Sequence, residues 1–325
     1  MIQNKLLLSD LAFKKSGKKA TKIKILKNDQ WGTIVRYYTA SGIYFVSQKP
    51  NTAPVKNFYT VTKYINKKTQ NIKTPTPLTF QRKNNLLLYK GLEGRQLLDY
   101  FKKTTAKTTL VKYFDQLLVL VQELHKLPLP GEKILFHDQK NYINNLKESF
   151  LRKQKKFDRM LPKQKQILKK ILQATLIAEK KYYNKKNTVL CHGDIDADNA
   201  IVNNNKVGLI DFSDVRLSHP ADDYAGLIVR LEMMANRFPG QYHECKHPKN
   251  FYKKLSHTAY QAYLNFCKDY DIQFVEKKYH AKKLWWYMRM YSFFGIITPG
   301  NIKKSQFLYK GAKKALHTLN QLHSK

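Results

Sequence analysis

The chain is short of acidic residues and of cysteines, and it contains no long apolar run. It has 23 Asp and Glu against 60 Lys and Arg in 325 residues, and only three cysteines. An odd and sparse set of cysteines argues against a disulfide framework and fits a reducing compartment. Apolar runs such as "LLVLV" (Leu117 to Val121) fall far short of the roughly 20 residues that a membrane span requires. We therefore expect a cytoplasmic protein without a membrane span.

The shortage of acids leaves a net charge of +37, which raises the question of a nucleic-acid partner. The lysines are spread along the whole chain and form no single basic stripe, so a bias in composition explains the charge better. No specific nucleic acid is expected. The positive field still favours polyanions, including the phosphates of a nucleotide. The composition indicates no oligomeric state.

The first part of the chain has the pattern of a small sheet. Residues 23–49 combine apolar runs with turn residues, as antiparallel strands do, and residues 55–68 are compatible with a helix. The segment "TPTP" (Thr74 to Pro77) is expected to break the chain, and "NNLLLYKGLEG" then contains a short apolar strand. We expect residues 1–90 to form an N-terminal nucleotide-binding lobe.

The remainder of the chain is mainly helical in pattern. Residues 110–127 repeat apolar side chains at helical spacing, and residues 139–185 predict one or two helices, with Pro162 starting or kinking one of them. A hairpin is predicted around the turn at 203–205. We expect an α+β fold in which residues 91–325 form a larger helical lobe with the catalytic loop and the acceptor site.

A set of polar residues at ordered spacing surrounds this predicted hairpin. His192, Gly193 and Asp194 are followed by Asn199, and Asp211 lies between Ile210 and Phe212. This is the spacing used for phosphoryl transfer, which needs one carboxylate to orient and deprotonate a hydroxyl. It also needs a second carboxylate and an amide oxygen to hold Mg²⁺ against phosphates. A solvated acidic loop explains one or two aspartates but not the ordered set.

The stretch "CHGDIDADNAIV" followed by "KVGLIDFSDVRLSHPADDYAGL" resembles the core of the aminoglycoside phosphotransferase and choline kinase superfamily. The segments "LVQELHKL" and "LLLYKGLEG" are similar to further parts of that family. The resemblance implies a protein-kinase-like fold of two lobes. It also implies the use of ATP (or GTP) and Mg²⁺ to phosphorylate a hydroxyl of a small molecule.

The resemblance assigns a role to each residue of the set. Asp194 is similar in position to the catalytic base, and His192 would support its loop. Asn199 and Asp211 correspond to the Mg²⁺ ligands, and Asp223 would brace the backbone of the catalytic loop. These assignments follow from the family's pattern and not from composition.

The small lobe matches the family less well. Leu88, Tyr89 and Lys90 fall where backbone groups would meet adenine. A lysine that positions the nucleotide is expected on the third strand, where Lys49 is the nearest candidate and Gln48 fits the register about as well. Residues 55–69 contain no acid, so the expected Lys–Glu ion pair is missing, and the loop "NDQWGTI" holds a single glycine. We therefore expect Lys49 to contact phosphates as a lone, mobile charge.

The acceptor is expected to be a small molecule. No Ala-Pro-Glu sequence follows the metal aspartate, and Asp196 stands where protein kinases have a lysine. Seven acids lie within thirty residues against only two basic residues, a density that is costly without a cation: Asp194, Asp196, Asp198, Asp211, Asp214, Asp222 and Asp223. Asp196, Asp198 and Asp214 either face an amine of the substrate or point to solvent and cap the turn.

An aromatic stretch, "LWWYMRMYSFF", leaves a second acceptor class open. Trp285, Trp286 and Tyr287 are candidates for a cage around a quaternary amine, although such a stripe is more often core. Three hypotheses remain. They are an aminoglycoside phosphotransferase-like enzyme, a choline- or ethanolamine-type kinase, and a catalytically degenerate kinase fold that binds a polyanion.

Overall fold

A computed structural model describes the chain with gaps, over residues 10, 13–14, 16–29, 32–50, 52–103, 105–130, 162–182, 184–238, 240–297 and 302–323. The chain divides into two compact units. The first comprises Met1–Tyr100, Thr105–Phe136 and His192–Arg216, and the second comprises Phe101–Thr104, His137–Cys191 and Leu217–Lys325. This division follows packing, so the predicted functional boundary between residues 90 and 91 stays a prediction.

The first unit contains the predicted antiparallel sheet. Its strands are β1 (Lys22–Asp29), β2 (Gly32–Thr39), β3 (Gly42–Gln48), β4 (Thr76–Gln81) and β5 (Leu86–Lys90). They are arranged in the order β1-β2-β3-β5-β4. Alternate residues of the inner strands, among them Val35, Tyr37, Val46 and Leu88, are buried on one face around Phe13. The apolar runs and turn residues of 23–49 therefore predicted β1, β2 and β3 correctly.

Strand β4, which begins at Thr76 within "TPTP", was not predicted from the sequence. Pro77 is tolerated there because β4 is an edge strand, where a missing backbone donor does not interrupt a ladder. The register also shifts between Pro77 and Thr79. The short, bulged strand has no regular alternation by which the sequence could have revealed it.

Helix α1 (Thr52–Lys68) follows β3 and extends over the predicted range. Its apolar side chains Val55, Phe58, Val61 and Ile65 are buried at helical spacing. The helix packs against β4 and against the short 3₁₀ turn Phe212–Asp214. This contact sets α1 directly beside the predicted metal aspartate.

The middle of the chain leads to the catalytic region. In chain order the elements are β6 (Arg95–Gln96), α2 (Leu97–Lys102), α3 (Lys107–Lys126), α4 (Pro162–Lys181), β7 (Val189–Cys191), β8 (Ala200–Asn203), β9 (Lys206–Leu209) and β10 (Arg216–Ser218). Helix α4 begins at Pro162, as predicted, while residues 139–161 of the predicted helical region lie outside the described residues. Asn204 and Asn205 have φ values of 47° and 60°, the left-handed conformations that a tight hairpin turn requires.

The second unit is built from α4 and four later helices. These are α5 (Ala221–Ala235), α6 (Lys249–Asp269), α7 (Val275–Ile297) and α8 (Ile302–His323). Helix α7 packs against α4, α5 and α8. Across the part of the chain that the structure describes, none of the helices combines the length and apolarity needed to cross a bilayer.

A buried cluster of charges joins three of these helices. One carboxylate oxygen of Glu179 on α4 lies 3.0 Å from Nζ of Lys278, and the other lies 3.0 Å from Nζ of Lys282. Both lysines are on α7, and Nζ of Lys282 also lies 3.3 Å from Asp222 Oδ2 on α5. Burial alone would raise the pKa of Glu179, but the charges of Lys282 and Lys278 outweigh it and hold that pKa below its usual value. The cluster pairs two carboxylates with two ammonium groups, so each buried charge has a partner.

Candidate active site

The predicted catalytic loop follows β7 and is held by an internal amide contact. Asn199 Nδ2 donates to the carbonyl oxygen of Asp194 at 2.9 Å and lies 3.4 Å from its Oδ2. Asp194 and Asn199 are both partly exposed. The amide therefore holds the backbone at Asp194 and lies beside its carboxylate, while the side chain keeps contact with solvent.

His192 connects this loop to the segment before Asp211. Its Nε2 lies 2.8 Å from the carbonyl oxygen of Ile210, and because a carbonyl only accepts, Nε2 carries the proton. The buried ring also packs against Phe212, with 4.6 Å between ring centroids. The backbone N–H of Ile210 donates in turn to Asn199 at 2.9 Å. Two hydrogen bonds thus fix the spacing between the two predicted functional loops.

Gly193 is required by close packing as well as by its conformation. Its φ is +81°, and a Cβ atom there would lie 2.2 Å from the carbonyl oxygen of Asp214 and 2.6 Å from Arg216 Nη1. The Arg216 guanidinium donates to both backbone oxygens, at 3.3 Å for Gly193 and 3.1 Å for Asp214. Any side chain at position 193 would push the two loops apart.

Asp211 is held by a serine and a lysine. Its backbone adopts the left-handed conformation (φ 57°, ψ 61°), which Asp tolerates better than most residues. Ser213 Oγ donates to Asp211 Oδ1 at 2.5 Å, and Lys49 Nζ donates to Ser213 Oγ at 3.0 Å. Lys49 Nζ also lies 3.8 Å from Asp211 Oδ1. These three residues form the Lys49–Ser213–Asp211 bridge.

The expectation that Lys49 stands as a lone charge is therefore wrong. Helix α1 supplies no acid, but Asp211 places a carboxylate beside Lys49 from a distant part of the chain. Asp211 is far from Lys49 in the chain, so no local spacing indicates that the two side chains meet. Gln48, the alternative candidate, has its Nε2 bound to the carbonyl oxygen of Asn84 at 3.1 Å, which favours Lys49. The role of Lys49 toward a nucleotide stays a prediction.

The three residues predicted to meet adenine lie in β5, between two paired strands. Leu88 is buried in the sheet core, Lys90 is exposed, and the ring of Tyr89 packs on Phe58 at 4.9 Å. Burial, and then the negative charge of Asp211, raises the pKa of Tyr89 above its usual value. The backbone groups of a strand paired on both sides are used in the sheet.

The three acids predicted to face a substrate amine occupy different surroundings. Asp196 is buried, and its Oδ1 accepts from the backbone N–H of Ala197 at 2.6 Å, a capping contact. Asp198 is partly exposed, and its carbonyl oxygen accepts from Gln96 Nε2 at 2.7 Å. Asp214 is also partly exposed. Their role toward a substrate stays a prediction.

The remaining predicted residues are buried in the second unit, on α5 and α7: Asp223, Trp285, Trp286 and Tyr287. Trp286 Nε1 donates to the carbonyl oxygen of Asp222 at 2.8 Å. The guanidinium groups of Arg230 and Arg289 each lie 4.6 Å from the Trp286 ring. Two arginines of the protein itself thus contact this ring. Their position favours the alternative in which the aromatic stretch is part of the hydrophobic core.

A kinase-like fold with a His-Gly-Asp loop, an Asn and a second Asp defines the chain as a phosphotransferase, and the comparisons agree. The family model described as "Phosphotransferase enzyme family" matches residues 35–244. The chain belongs to this family, and the predictions of a protein-kinase-like fold and of a phosphotransferase enzyme are confirmed. A search of curated proteins found no match.

Several solved structures share the fold at low identity. A thermostable mutant of aminoglycoside phosphotransferase APH(4)-Ia, in its apo form, matches with a TM-score of 0.67 and 10% identity, over 95% of this chain and 98% of that chain. The gentamicin complex of APH(2")-IIa matches with a TM-score of 0.59 and 15% identity, over 94% and 95%. ADP-bound APH(2'')-Ib matches with a TM-score of 0.56 and 15% identity, over 95% and 96%.

Proposed function

We propose that this protein transfers the terminal phosphoryl group of ATP to a hydroxyl of a small, amine-containing molecule, with Mg²⁺. The observation that carries the proposal is the coupling of the two functional loops. Asn199 holds Asp194, His192 holds the segment before Asp211, and Lys49 lies beside Asp211. The missing acid of residues 55–69 and the net charge of +37 favour the degenerate alternative, and the complete set of Asp194, Asn199 and Asp211 opposes it.

Asp194 takes the role of the group that orients the acceptor hydroxyl. The residue is partly exposed, and the amide nitrogen of Asn199 lies 3.4 Å from its carboxylate. From this position it accepts a hydrogen bond from the hydroxyl and receives the proton as the oxygen attacks phosphorus. Positioning of this kind, with proton acceptance, contributes about 10²–10⁴ in rate.

The donor set fits Mg²⁺. Asp211 supplies a carboxylate and Asn199 an amide oxygen, which are hard oxygen ligands, and both side chains are partly exposed. Asn199 directs its amide nitrogen to Asp194, so the amide oxygen is the atom that we assign to the metal. When bound by Asp211 and Asn199, Mg²⁺ would neutralise charge on the transferring phosphates.

Lys49 supplies a positive charge for the nucleotide phosphates. Its ammonium group lies at the side of Asp211 and is about a quarter exposed. Backbone contact with the purine base was predicted at Leu88, Tyr89 and Lys90, but their backbone groups are used in the sheet. We therefore assign this contact to residues 91–94 directly after β5. Neither contact distinguishes adenine from guanine, so the experiment uses both ATP and GTP.

The acceptor is proposed from charge and from the relatives. Asp198 and Asp214 are partly exposed carboxylates near the ends of the two functional loops, and a protonated amine of the substrate is the group that we expect them to face. Similar structures contain gentamicin, or ADP with hygromycin B. An aminoglycoside-like compound with amino and hydroxyl groups is therefore the first substrate class to test. The cytoplasmic location is part of the same proposal, since none of the three cysteines, all described, forms a disulfide.

The test combines nucleotide binding with a panel of acceptors. Purified protein is mixed with ATP or GTP, with and without Mg²⁺, and with aminoglycosides, choline, ethanolamine and simple sugars, and phosphorylated product is detected by mass spectrometry. Asp194→Ala should lower turnover about 10²–10⁴-fold while nucleotide binding stays largely intact. Asp269→Ala, at an exposed acid of α6, is the matched control. Full turnover by Asp194→Ala would refute the assignment.

A further inference from the structure

Helix α1 leaves the nucleotide-positioning lysine without an acidic partner, although the helix lies beside it. The helix packs directly on the turn Phe212–Asp214, so a carboxylate on its inner face would be close to Lys49. Its buried residues are all uncharged: Val55, Asn57, Phe58, Val61, Thr62 and Ile65. Some other group must hold the Lys49 ammonium in place.

Ser213 makes the contact that the helix does not. An ammonium group only donates, so Ser213 Oγ accepts from Lys49 at 3.0 Å, and its own single proton goes to Asp211 Oδ1 at 2.5 Å. Both hydrogen bonds have a charged partner, which makes them stronger than neutral ones. Ser213 is 9% exposed, so little water competes for its hydroxyl.

The direct contact between Lys49 and Asp211 is weaker than the two contacts through Ser213. The charged atoms are 3.8 Å apart, beyond the range of a good hydrogen bond, and both side chains are partly exposed. Exposed ion pairs contribute little by themselves. The hydroxyl therefore carries most of the geometric restraint between the two charges.

A serine in this place has a consequence that a carboxylate would not have. It holds the ammonium without neutralising it, so the positive charge of Lys49 stays available to an anionic phosphate. Its proton and Lys49 both approach Oδ1 of Asp211, which leaves Oδ2 as the oxygen for the metal. One hydroxyl thus orients the phosphate contact and the metal contact together.

We propose that Ser213 is a positioning residue that replaces the missing acid of α1 by joining Lys49 to Asp211. The proposal rests on the proposed function and deepens it, because it explains how a chain without the helix carboxylate places its nucleotide. Ser213 acts through Lys49 and Asp211 and takes no part in the transfer itself.

The first test needs no nucleotide. The variants Ser213→Ala and Ser213→Thr are treated with an acylating reagent, and the modification rate of each lysine is measured by mass spectrometry. Ser213→Ala should raise the rate at Lys49 severalfold, and Ser213→Thr, which keeps the hydroxyl, should not. Lys63, exposed on α1, is the internal control and should react equally in all variants. An unchanged rate at Lys49 in Ser213→Ala overturns the proposal.

The second test is a double-mutant cycle in which calorimetry measures the binding of AMP-PNP without metal. Ser213→Ala should weaken binding roughly 5–30-fold, as for a lost hydrogen bond to a charged group, and Ser213→Thr should restore most of it. In a Lys49→Met background the same change should have almost no effect. An equal loss in both backgrounds would mean that Ser213 acts independently of Lys49, which overturns the proposal.

The two tests separate the inference from the proposed function. If Lys49 reactivity responds to Ser213→Ala but the unaltered protein binds neither ATP nor GTP, the bridge stands and the proposed function fails. If nucleotide binds and is turned over but Ser213→Ala behaves as the unaltered protein in both tests, the function stands and the role of Ser213 is refuted.

Discussion

Lys49 and Lys282 both face carboxylates, but their surroundings are opposite. Lys49 and Asp211 in the first unit have side chains that are 25% and 47% exposed and lie 3.8 Å apart. Lys282 in the second unit is fully buried, within 3.0 Å of Glu179 and 3.3 Å of Asp222. A hydrated, loosely held pair can exchange its partner for a ligand, whereas a buried and satisfied cluster cannot change without loss of stability. We therefore expect the first cluster to serve binding and the second to serve the fold.

The largest effect should come from breaking the buried cluster. Lys282→Met leaves Glu179 and Asp222 with less positive charge in a buried place, which typically costs about 3–5 kcal/mol of unfolding free energy. Urea unfolding, followed by the fluorescence of the buried tryptophans of α7, measures the change. Lys253→Met, at an exposed position of α6, should change stability by no more than about 0.5 kcal/mol. If the Lys282→Met protein were as stable as its parent, the buried charges around Lys282 would not stabilise the fold, and the proposed difference from the Lys49 site would be wrong.

The next largest effect is expected from Asp211, the partly exposed carboxylate beside Lys49. Asp211→Asn keeps an acceptor for Ser213 but removes the charge that we assign to the metal. Nucleotide affinity in the presence of Mg²⁺ should fall at least about tenfold, since even indirect support of a metal ligand is worth that much. Affinity without metal should change less. Calorimetry that shows the same loss in both conditions would remove Asp211 from the metal site.

A smaller effect is expected from the lysine of the first cluster. Lys49→Met should weaken nucleotide binding by about 1–2 kcal/mol, the value of a lost hydrogen bond to a charged group, and should leave unfolding free energy almost unchanged. Binding by the unaltered protein should weaken steeply with salt, because exposed charges are screened. Lys63→Met removes the same charge from α1 and is the control. Equal losses in the two variants would reduce the role of Lys49 to general attraction.

Close to neutral pH, the smallest effect is a pH dependence in the second unit. His219 accepts from the backbone N–H of Ala221 through Nδ1, and its Nε2 lies 3.2 Å from the carbonyl oxygen of Gln273. Burial, and then the charge of Lys278, lowers the pKa of His219 to about 3. The folded protein therefore resists protonation that the unfolded chain accepts near pH 6.5.

Stability from His219 should be fully present above about pH 6.5 and should fall as pH decreases toward 3, by at most about 1.4 kcal/mol per pH unit. Unfolding curves at several pH values measure this slope. His219→Gln should flatten it, while His243→Gln, at an exposed histidine, should leave it unchanged. If His219→Gln kept the full slope, another group would be responsible.

The sequence predicted most of the elements because their signals are local. The alternation of residues 23–49, the helical spacing of α3 and the paired asparagines of the hairpin turn act between near neighbours in the chain. Strand β4 was missed because Pro77 and the register shift hide the alternation of an edge strand. The spacing from His192 to Asp211 likewise indicates phosphoryl-transfer chemistry from the sequence alone.

The sequence by itself thus determined the family and most of the strands and helices, and it predicted which residues carry the chemistry. Only the tertiary structure decided the partner of Lys49, because Ser213 lies 164 positions further along the chain and no local spacing links the two. It also decided that Glu179, Asp222, Lys278 and Lys282 neutralise one another. Contacts of this kind depend on how α1 packs on the 212–214 turn and α7 on α4 and α5, which single-residue preferences do not specify.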